Sequence, residues 1–545
     1  MITIEANALN TKDHGLVVVL HHDDKSSPPI RFREAARGAE FDVARGRHFV
    51  PRAIWAVVRA QILGTIGVTL VEDGYVKAWA QQEELERTRL MAEAVLRADK
   101  FDIELKARGH TLRKYQREGI AWLAARRVGL LTDEMGLGKT VQLLGAVPED
   151  TGVVIFCPAS LRGYWRDQVN EWRPDLKPIL LEGRGSFIWP FPNEAVICSD
   201  SSISGLTDFM LQVLSKPVYL AADEAHMFKD EKSARTRNMA TVCERVRQEG
   251  GWTVGLTGTP ILNRPEELYQ LAKVFGCHQL GWGSEPAFKR AFEVGPDYGY
   301  GPTYGTPKPE AREGLSRISL RRTRVDVLPE LPSKSYQYIP VALPRKLVKI
   351  LDKIEQELSW TLGKIEANYA SSVPELKDDW AWHDLMPGFE GIAQVRKDLA
   401  SLKFASALEW VAQHEAAGLP VVVFSAHREP VDALALRPGW TCVTGDTPGD
   451  ERTARVLAFQ RGEYRGIAGT IGAMGTGHTL TKAAHCLFID RTFTPGNNLQ
   501  AEDRVYRLGQ LLPVLISILI GDHPLERRLE KILTKKLELL QAAVA

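Results

Sequence analysis

Apolar and polar positions follow one repeating pattern over most of the chain. Between about residue 109 and residue 275, short apolar runs alternate with stretches of helical character. These runs lie at 153–156, 195–197, 218–220 and 253–256. Apolar strands that alternate with helices are typical of a parallel sheet covered by helices. Because the same alternation returns at 421–424 and 486–489, the pattern predicts two α/β lobes.

The first 80 residues are patterned differently. A short apolar run at 16–20 is followed by a turn-rich segment at 23–29, which predicts a small β-containing module. After this module, leucine and valine at loose helical spacing among many charged residues predict a connecting helix. A second, charged helical region is predicted much later in the chain, around 344–369. The predicted parts are an accessory module at 1–80, a connecting helix at 81–108, a first lobe at 109–325 and a second lobe with a helical insertion at 326–545.

The composition agrees with a folded protein of several domains. The chain has 545 residues, of which 44% are hydrophobic and 25% charged, far from disordered or coiled-coil compositions. Its formal net charge is only +1, so a polyanionic partner would have to be held by local basic patches. The class of uniformly basic, histone-like proteins is therefore excluded.

Two absences in the sequence bear on location. The six cysteines contain no CxxC pair, which argues against a zinc module and against a disulfide framework. The start of the chain lacks the regions of a secretory signal, and no run of about 18 apolar residues could span a membrane. We therefore expect an intracellular protein without membrane contact, cytoplasmic if it comes from a bacterium or phage and nuclear if it is eukaryotic.

A glycine-rich segment at 133–140 lies between an apolar strand and a predicted helix. Glycine lets the backbone curl there, so that N–H groups point at phosphate oxygens near the positive end of the helix. Lys139 would supply a charge to the β- and γ-phosphates, and the Thr140 hydroxyl would bind Mg²⁺. Asp133 stands where the general pattern has glycine, and an ordinary turn is the alternative. The residues predicted to contact the nucleotide are Asp133, Glu134, Met135, Gly136, Leu137, Gly138, Lys139 and Thr140.

A pair of acids emerges from the end of another apolar strand. The strand at 218–222 is followed by Asp223 and Glu224, and then by His226. An aspartate at a strand end can serve a bound Mg²⁺, and the next glutamate can accept a proton from an attacking water. Solvated loop acids are the alternative.

In chain order, these segments resemble the motifs of a superfamily-two helicase. The matching segments are 112–116, 133–140, 223–226, 256–260 and 500–510. The set is similar to the Swi/Snf-related double-stranded DNA translocases, and an ordered set is more specific than any single motif. The amino-acid sequences of segments 423–427, 474–477 and 500–507 are most similar to those of the annealing-helicase (HARP-type) branch, which remodels replication forks. The resemblance implies two RecA-like lobes with an ATP cleft between them.

The resemblance also implies a role for each matching residue. Gln116 would contact adenine, Thr140 and Asp223 would hold Mg²⁺, and arginine fingers would reach the site from the second lobe. The implied catalytic residues are Lys139, Asp223, Glu224, Arg504 and Arg507. If this segment is helical, the spacing of the two arginines puts them on one face, which suits a cluster aimed at one phosphate. A helix surface with two solvated arginines is the alternative. The residues implied to couple the lobes are His226, Thr257, Thr259, Gly475, Gly477 and Gln500.

Positive charge concentrates at Arg321, Arg322 and Arg324, in a segment that resembles the inter-lobe element of the family. A contact with the DNA phosphate backbone is one interpretation of this charge, and a solvated face is the other. Since no aromatic platform for a single strand is evident, double-stranded or branched DNA is the favoured partner. Residues 41–51 faintly resemble the junction-binding accessory module of fork-remodelling relatives, with a plain β-hairpin as the alternative.

The leading hypothesis is an ATP-dependent duplex DNA translocase that remodels DNA structures, by fork regression or strand annealing, or protein–DNA complexes. One alternative is a strand-separating DNA or RNA helicase. The other is a scaffold that binds DNA without turnover. The presence of Lys139, Glu224 and both finger arginines counts against the scaffold, because a protein without catalysis has no chemical need for all four.

Overall fold

Three sheets organise the part of the chain that the computed structural model describes. One is a five-stranded sheet near the N-terminus, and the other two are parallel sheets of seven and six strands. The two parallel sheets confirm the predicted pair of α/β lobes. The described residues are 2–11, 15–23, 32, 36, 39–42, 47–181, 187–203, 214, 216–261, 265–295, 307–356, 390–474, 479–492 and 494–544.

The N-terminal sheet is mostly antiparallel. Its strands are β1 (Ile2–Thr11), β2 (Gly15–His22), β3 (Glu40–Asp42), β4 (Arg47–Pro51) and β5 (Val68–Glu72). Their order is β3-β4-β2-β1-β5, and only the β1–β5 pair is parallel. The helix α1 (Arg52–Gly64) follows β4, and its Trp55 and Ile62 belong to the hydrophobic core under this sheet.

A long helix, α2 (Gly74–Ala107), connects this module to the first lobe. It begins before the predicted start because the Asp73 carboxylate accepts a hydrogen bond from the Val76 backbone N–H at 2.7 Å, which caps the helix. The predicted boundary at residue 80 therefore falls inside a helix. The division of the chain into domains stays a prediction.

The first lobe is a seven-stranded sheet in which every pairing is parallel. Its strands are β6 (Val128–Leu131), β7 (Gly152–Cys157), β8 (Lys177–Leu180), β9 (Glu194–Ser199), β10 (Val218–Asp223), β11 (Trp252–Leu256) and β12 (Ser319–Leu320). Their order is β12-β6-β11-β10-β7-β9-β8. The α-helices of this lobe and of the segment that leaves it are α3 (Lys114–Ala124), α4 (Lys139–Ala146), α5 (Arg162–Trp172), α6 (Ala234–Gln248), α7 (Pro265–Val274), α8 (His278–Trp282), α9 (Glu285–Ala291), α10 (Pro309–Ile318) and α11 (Arg324–Val327).

A separate hydrophobic core lies on each face of this sheet. Successive side chains of a strand point to opposite faces, so β7 contributes Val154 and Phe156 to one core and Val153 and Ile155 to the other. Because both faces are covered by helices, the strands read as continuous apolar runs. This is the pattern from which the lobe was predicted.

The second lobe repeats the arrangement with six parallel strands. They are β13 (Lys334–Val341), β14 (Val421–Ser425), β15 (Trp440–Val443), β16 (Gly466–Thr470), β17 (His485–Phe488) and β18 (Val514–Gly521), in the order β13-β18-β17-β14-β16-β15. Its helices are α12 (Glu390–Ala416), α13 (Arg428–Ala435), α14 (Gly449–Arg461), α15 (Ile471–Met474), α16 (Pro495–Val505) and α17 (Pro524–Val544).

The predicted helical insertion of this lobe is described only at its start. Residues 345–356 are helical, whereas 357–389 lie outside the described residues. In the part of the chain that is described, no helix has both the length and the apolar character that a membrane crossing requires.

The C-terminal half of α2 packs against α4, the helix that follows the glycine-rich loop. Phe101 is 5% exposed and lies in one core with Ile120 and Leu144. The approach is so close that a Cβ on Gly145 would lie 2.6 Å from Phe101 Cδ1. The packing of α2 therefore helps to fix the helix on which the loop depends.

We expect Phe101→Ala to lower the free energy of unfolding by about 3–5 kcal/mol, because it removes a buried aromatic ring and leaves a cavity. Leu96→Ala is the matched control on the same helix, where Leu96 is 68% exposed. The control should change the free energy by less than about 0.5 kcal/mol. Chemical denaturation followed by circular dichroism measures both. Equal effects would mean that α2 is not part of the first-lobe core.

Candidate functional site

The glycine-rich loop connects β6 to α4 and adopts a conformation that needs glycine. Gly136 has φ 83° and Gly138 has φ 74°, both in the left-handed region. A Cβ on Gly138 would lie 2.5 Å from Gln116 Nε2, and one on Gly136 would lie 3.2 Å from Arg507 Cβ. Gln116, from the first lobe, and Arg507, from the second, therefore reach the loop where it carries no side chain.

The Lys139 ammonium lies within the curl of this loop. Its Nζ donates to the backbone carbonyl of Asp133 at 2.8 Å and is 3.4 Å from that of Glu134. Burial lowers the pKa of Lys139, and the negative charges of Glu224 and Asp223 oppose that shift. The loop thus surrounds a cation with curled backbone at the start of a helix, an arrangement that fits the phosphates of a nucleotide.

The acid pair lies at the carboxyl end of β10, in the middle of the sheet. The Asp223 carboxylate accepts hydrogen bonds from Trp165 Nε1 at 2.9 Å and from the Glu224 backbone N–H at 3.0 Å. Burial, and then the charge of Glu224, raises the pKa of Asp223 to about 6. Glu224 has φ 51°, which is strained for a residue with a side chain, and such strain is concentrated at functional sites.

Asp223 and Thr140 suit a Mg²⁺ ion that is held together with a nucleotide. Among the described residues, no group of three or more His, Cys, Asp or Glu side chains could hold a metal ion by itself. Mg²⁺ commonly takes one or two protein ligands and completes its shell with phosphate oxygens and water. The donor set here fits that mode of binding rather than a closed protein cage.

The two predicted finger arginines belong to the second lobe, where Arg504 approaches this acid pair and Arg507 approaches Gly136 of the loop. Arg507 follows the end of α16, so the two arginines do not share one helix face as expected. Arg504, at the end of α16, is buried, and its charge interacts with those of Glu224 and Asp223. Burial and the neighbouring Arg507 lower the pKa of Arg504 to about 10. The site is therefore completed by side chains from both lobes.

Four of the six residues expected to couple the lobes form a continuous polar path. His226 Nδ1 lies 3.3 Å from Glu224 Oε2 and 3.2 Å from Thr257 Oγ1. The Thr259 backbone N–H donates to Thr257 Oγ1 at 3.1 Å, and Gln500 Nε2 donates to Thr259 Oγ1 at 3.3 Å. This path runs from an acid of the first lobe to α16 of the second lobe.

Burial lowers the pKa of His226 to about 4, so its imidazole is neutral at pH 7. Both contacts are made by Nδ1, and a carboxylate only accepts, so the neutral tautomer with its proton on Nδ1 fits the contact with Glu224. The other two predicted coupling residues, Gly475 and Gly477, lie outside the described residues.

The DNA contact predicted for the three inter-lobe arginines has to be corrected, because their guanidinium groups form hydrogen bonds inside the protein. Arg321 Nη1 donates to the backbone carbonyl of Thr132 at 2.9 Å. Arg322 Nε donates to an Asp133 carboxylate oxygen at 3.0 Å, and Arg324 Nη2 donates to an Asp503 carboxylate oxygen at 2.5 Å. In this arrangement none of the three presents its charge to a DNA backbone, so we withdraw that interpretation for them.

The loop acids Asp133 and Glu134 were predicted to contact the nucleotide, but their carboxylates bond to other side chains of the protein. Asp133 is fully buried and its carboxylate bonds to Arg322 and to Gln142 Nε2, while the Glu134 carboxylate bonds to Arg324. Both residues contribute to the loop through the backbone carbonyls near Lys139. Asp133 occupies the position usual for glycine because its carboxylate is held within the protein.

Two aromatic residues of α5 were missed by the sequence reasoning. Trp165 donates to Asp223, and Tyr164 forms a hydrogen bond with Thr140. Both lie shortly after β7, whose carboxyl end is at the same edge of the sheet as the end of β10. Ligands of parallel sheets bind at that edge, which is the signal that could have found them.

Taken together, two parallel-sheet lobes and a site completed from both define a two-lobed α/β protein with a candidate nucleotide site. Comparison with known protein families agrees with this class. Residues 115–372 match the SNF2-related domain, and residues 403–509 match the helicase conserved C-terminal domain. The loop and the acid pair lie in the first match, and both finger arginines lie in the second. The chain is thus similar to the Swi/Snf-related superfamily-two ATPases over both of these domains.

Named relatives are similar over most of this chain. The Caenorhabditis elegans homolog of "SWI/SNF-related matrix-associated actin-dependent regulator of chromatin subfamily A-like protein 1" is 29% identical over 78% of this chain and 61% of the relative. The Bos taurus protein "DNA annealing helicase and endonuclease ZRANB3" is 26% identical over 77% of this chain and 39% of the relative. The chain thus spans less than two thirds of the length of either relative.

Among solved structures, the chain is similar to a Sulfolobus solfataricus SWI2/SNF2 ATPase core in complex with dsDNA. The identity is 20% and the TM-score 0.37, with 79% of this chain and 92% of that chain covered.

We expect Trp165→Phe to weaken Mg²⁺-dependent nucleotide binding by about 10–100-fold, because partners that orient a metal-binding carboxylate contribute that much to affinity. Trp172→Phe is the matched control, since Trp172 Nε1 donates to Gln168 on the same helix and not to the site. Titration of Mg²⁺ against a fluorescent ATP analogue measures both. If both variants reach half-maximal binding of the ATP analogue at the same Mg²⁺ concentration, Trp165 does not orient Asp223.

Proposed function

We propose that this chain is an ATP-dependent motor that moves along duplex DNA and remodels DNA structures, with branched DNA as its preferred substrate. One observation carries the proposal: side chains of the second lobe complete a site whose loop and acids belong to the first. Arg507 reaches Gly136, and the charge of Arg504 interacts with that of Glu224. A site built in this way turns over only when the lobes close, which links hydrolysis to lobe movement.

Each polar group of the site would have a distinct task in hydrolysis. Gln116, beside the loop, would contact the base of ATP, and the Lys139 ammonium would offset charge on the β- and γ-phosphates. Mg²⁺, held by Thr140 and Asp223, would neutralise phosphate charge when bound. The Glu224 carboxylate would accept a proton from the attacking water.

The arginines of the second lobe would stabilise the charge that develops as the phosphoryl group leaves. Burial lowers the pKa of both arginines, and that of Arg504, at about 10, leaves it positively charged at neutral pH. Such a charge in a water-excluded site is worth far more than in water. Both are withdrawn when the lobes separate, so hydrolysis would report on closure.

DNA as the substrate is supported by the name of the relative "DNA annealing helicase and endonuclease ZRANB3". Duplex DNA in particular is supported by the motif sequences of the second lobe, which resemble those of duplex translocases. A motor that grips phosphates alternately with two lobes need not read or separate bases. The N-terminal sheet is the part of the chain that we propose for branch recognition. Since all six cysteines are free, we place the protein inside the cell.

The test of this function is a comparison of nucleic acids as activators of ATP hydrolysis. Rates are measured without nucleic acid and with a single strand, blunt duplex, a fork of equal length and RNA. We expect strong stimulation by duplex, with half-saturation at a lower concentration of fork, and affinity that falls steeply with salt because phosphate contacts release counterions. Equal half-saturation for fork and duplex would remove the branch preference, and a need for single strands would indicate a strand-separating helicase.

A single substitution separates binding from chemistry. Glu224→Gln should retain ATP and DNA binding while hydrolysis falls by at least about 100-fold, because the amide cannot accept the proton of the water. Lys139→Ala is the contrasting variant, since loss of its charge should weaken binding as well as turnover. Equilibrium binding and steady-state hydrolysis are measured on both. If Glu224→Gln loses binding and turnover equally, Glu224 has a structural role only.

A further inference from the structure

One buried arginine contacts the glycine-rich loop and the finger segment at once. Arg324 is 4% exposed and opens α11, in the segment that leaves the first lobe. Its Nη2 lies 2.5 Å from a carboxylate oxygen of Glu134 and 2.5 Å from one of Asp503. Its backbone N–H donates to the second Glu134 oxygen at 2.6 Å, and its Nη1 donates to the Tyr506 backbone carbonyl.

The partners of Arg324 belong to two functional segments that are far apart along the chain. Glu134 belongs to the loop that surrounds Lys139. Asp503 immediately precedes Arg504, and Tyr506 immediately precedes Arg507. Arg324 is therefore bonded on one side to the loop and on the other side to the neighbours of both finger arginines.

Separation of the lobes has to break one side of this contact. A guanidinium that leaves Asp503 stays bonded to Glu134, and the buried Asp503 loses its hydrogen-bonded cation and keeps only the charge of Lys334 nearby. Charge-assisted hydrogen bonds are about twice as strong as neutral ones, and a buried charge without a partner is costly. Water that enters the opened cleft can replace the lost bonds, so the contact is strong only when the lobes are closed and dry.

A purely structural role is the competing explanation, and the second lobe offers a comparison. The Lys403 ammonium pairs with the Glu526 carboxylate at 2.6 Å, and the Lys403 side chain is 4% exposed, as is that of Arg324. Both partners of that pair lie in the second lobe, so the pair survives opening intact. Arg324 differs because its two carboxylates belong to different lobes, Glu134 to the first and Asp503 to the second.

We propose that Arg324 is a positioning residue that holds the finger arginines against the glycine-rich loop in the closed state. This inference rests on the proposed function, because it concerns the residues that complete the site. Arg324 does not touch the reacting atoms. It acts through Asp503 and the Tyr506 carbonyl, which set where the following arginines lie.

The first experiment compares Arg324→Ala with Lys403→Ala. Arg324→Ala should lower the duplex-stimulated kcat by about 100-fold, since a misplacement of about 1 Å is enough for such a loss. Its ATP affinity should stay within about threefold of that of the unmodified protein, because Lys139 and Gln116 are untouched. Lys403→Ala should lose stability but keep kcat. If the two variants lose the same fraction of kcat, Arg324 has no special role.

A measurement that does not depend on turnover accompanies the kinetics. Small-angle scattering of the nucleotide-free full chain should give a larger radius of gyration for Arg324→Ala than for the unmodified protein, with no change for Lys403→Ala. If the unmodified protein hydrolyses no ATP with any DNA, the proposed function fails, and the scattering result still decides whether Arg324 holds the lobes together. An unchanged radius for Arg324→Ala would overturn the inference.

A double-mutant cycle shows whether Arg324 acts through Asp503. If it does, Arg324→Ala combined with Asp503→Ala should lose little more kcat than either single variant, within about twofold. Losses that multiply would overturn the proposed route. Should Arg324→Ala fail to fold, Arg324→Lys is the second variant, because it retains the positive charge but lacks the planar guanidinium group that can donate several hydrogen bonds at once. It should show a lower kcat at unchanged ATP affinity. A kcat equal to that of the unmodified protein would count against the inference.

Discussion

The site depends on one backbone constraint, which is that the glycine-rich loop carries no side chain at two opposite points. At Gly138 the missing Cβ leaves room for Gln116 of the first lobe, and at Gly136 it leaves room for Arg507 of the second. Both glycines are in the left-handed region, where other residues are strained. A Cβ at position 136 would lie 3.2 Å from Arg507 Cβ, so Arg507 would have to shift by a few tenths of an ångström. The geometry of the loop therefore affects how closely Arg507 of the second lobe can approach it.

The parallel sheet brings the remaining groups to this loop. In the sheet order, β11 lies between β6 and β10, and all three strands run in the same direction. Their carboxyl ends therefore meet at one edge, where β6 leads into the loop, β10 ends in Asp223, and β11 is followed by Thr257. Residues far apart in sequence become neighbours through strand order alone. The polar path from Glu224 to Gln500 follows from this placement.

Much of this arrangement could be predicted from the sequence, and the failures have a common cause. The apolar runs predicted the lobes because strands covered on both faces must be apolar throughout. The motif residues were recognisable because phosphate chemistry restricts residue type at each position. The arginines at 321, 322 and 324 were misinterpreted because a charge run does not reveal its partner. Asp503, which accepts from Arg324, lies far along the chain and in the other lobe.

The contacts between the lobes include polar bonds, and this bears on how the lobes can separate. Within the described residues, two large hydrophobic cores belong to the first lobe and two to the second. The bonds that cross between the lobes include Gln500 to Thr259 and Arg324 to Asp503. Water can replace polar bonds when they open, whereas apolar surface pulled from a core cannot be compensated in this way. Under the proposed function, the lobes would therefore separate while each keeps its own core, and closure would be repeated in every cycle without partial unfolding.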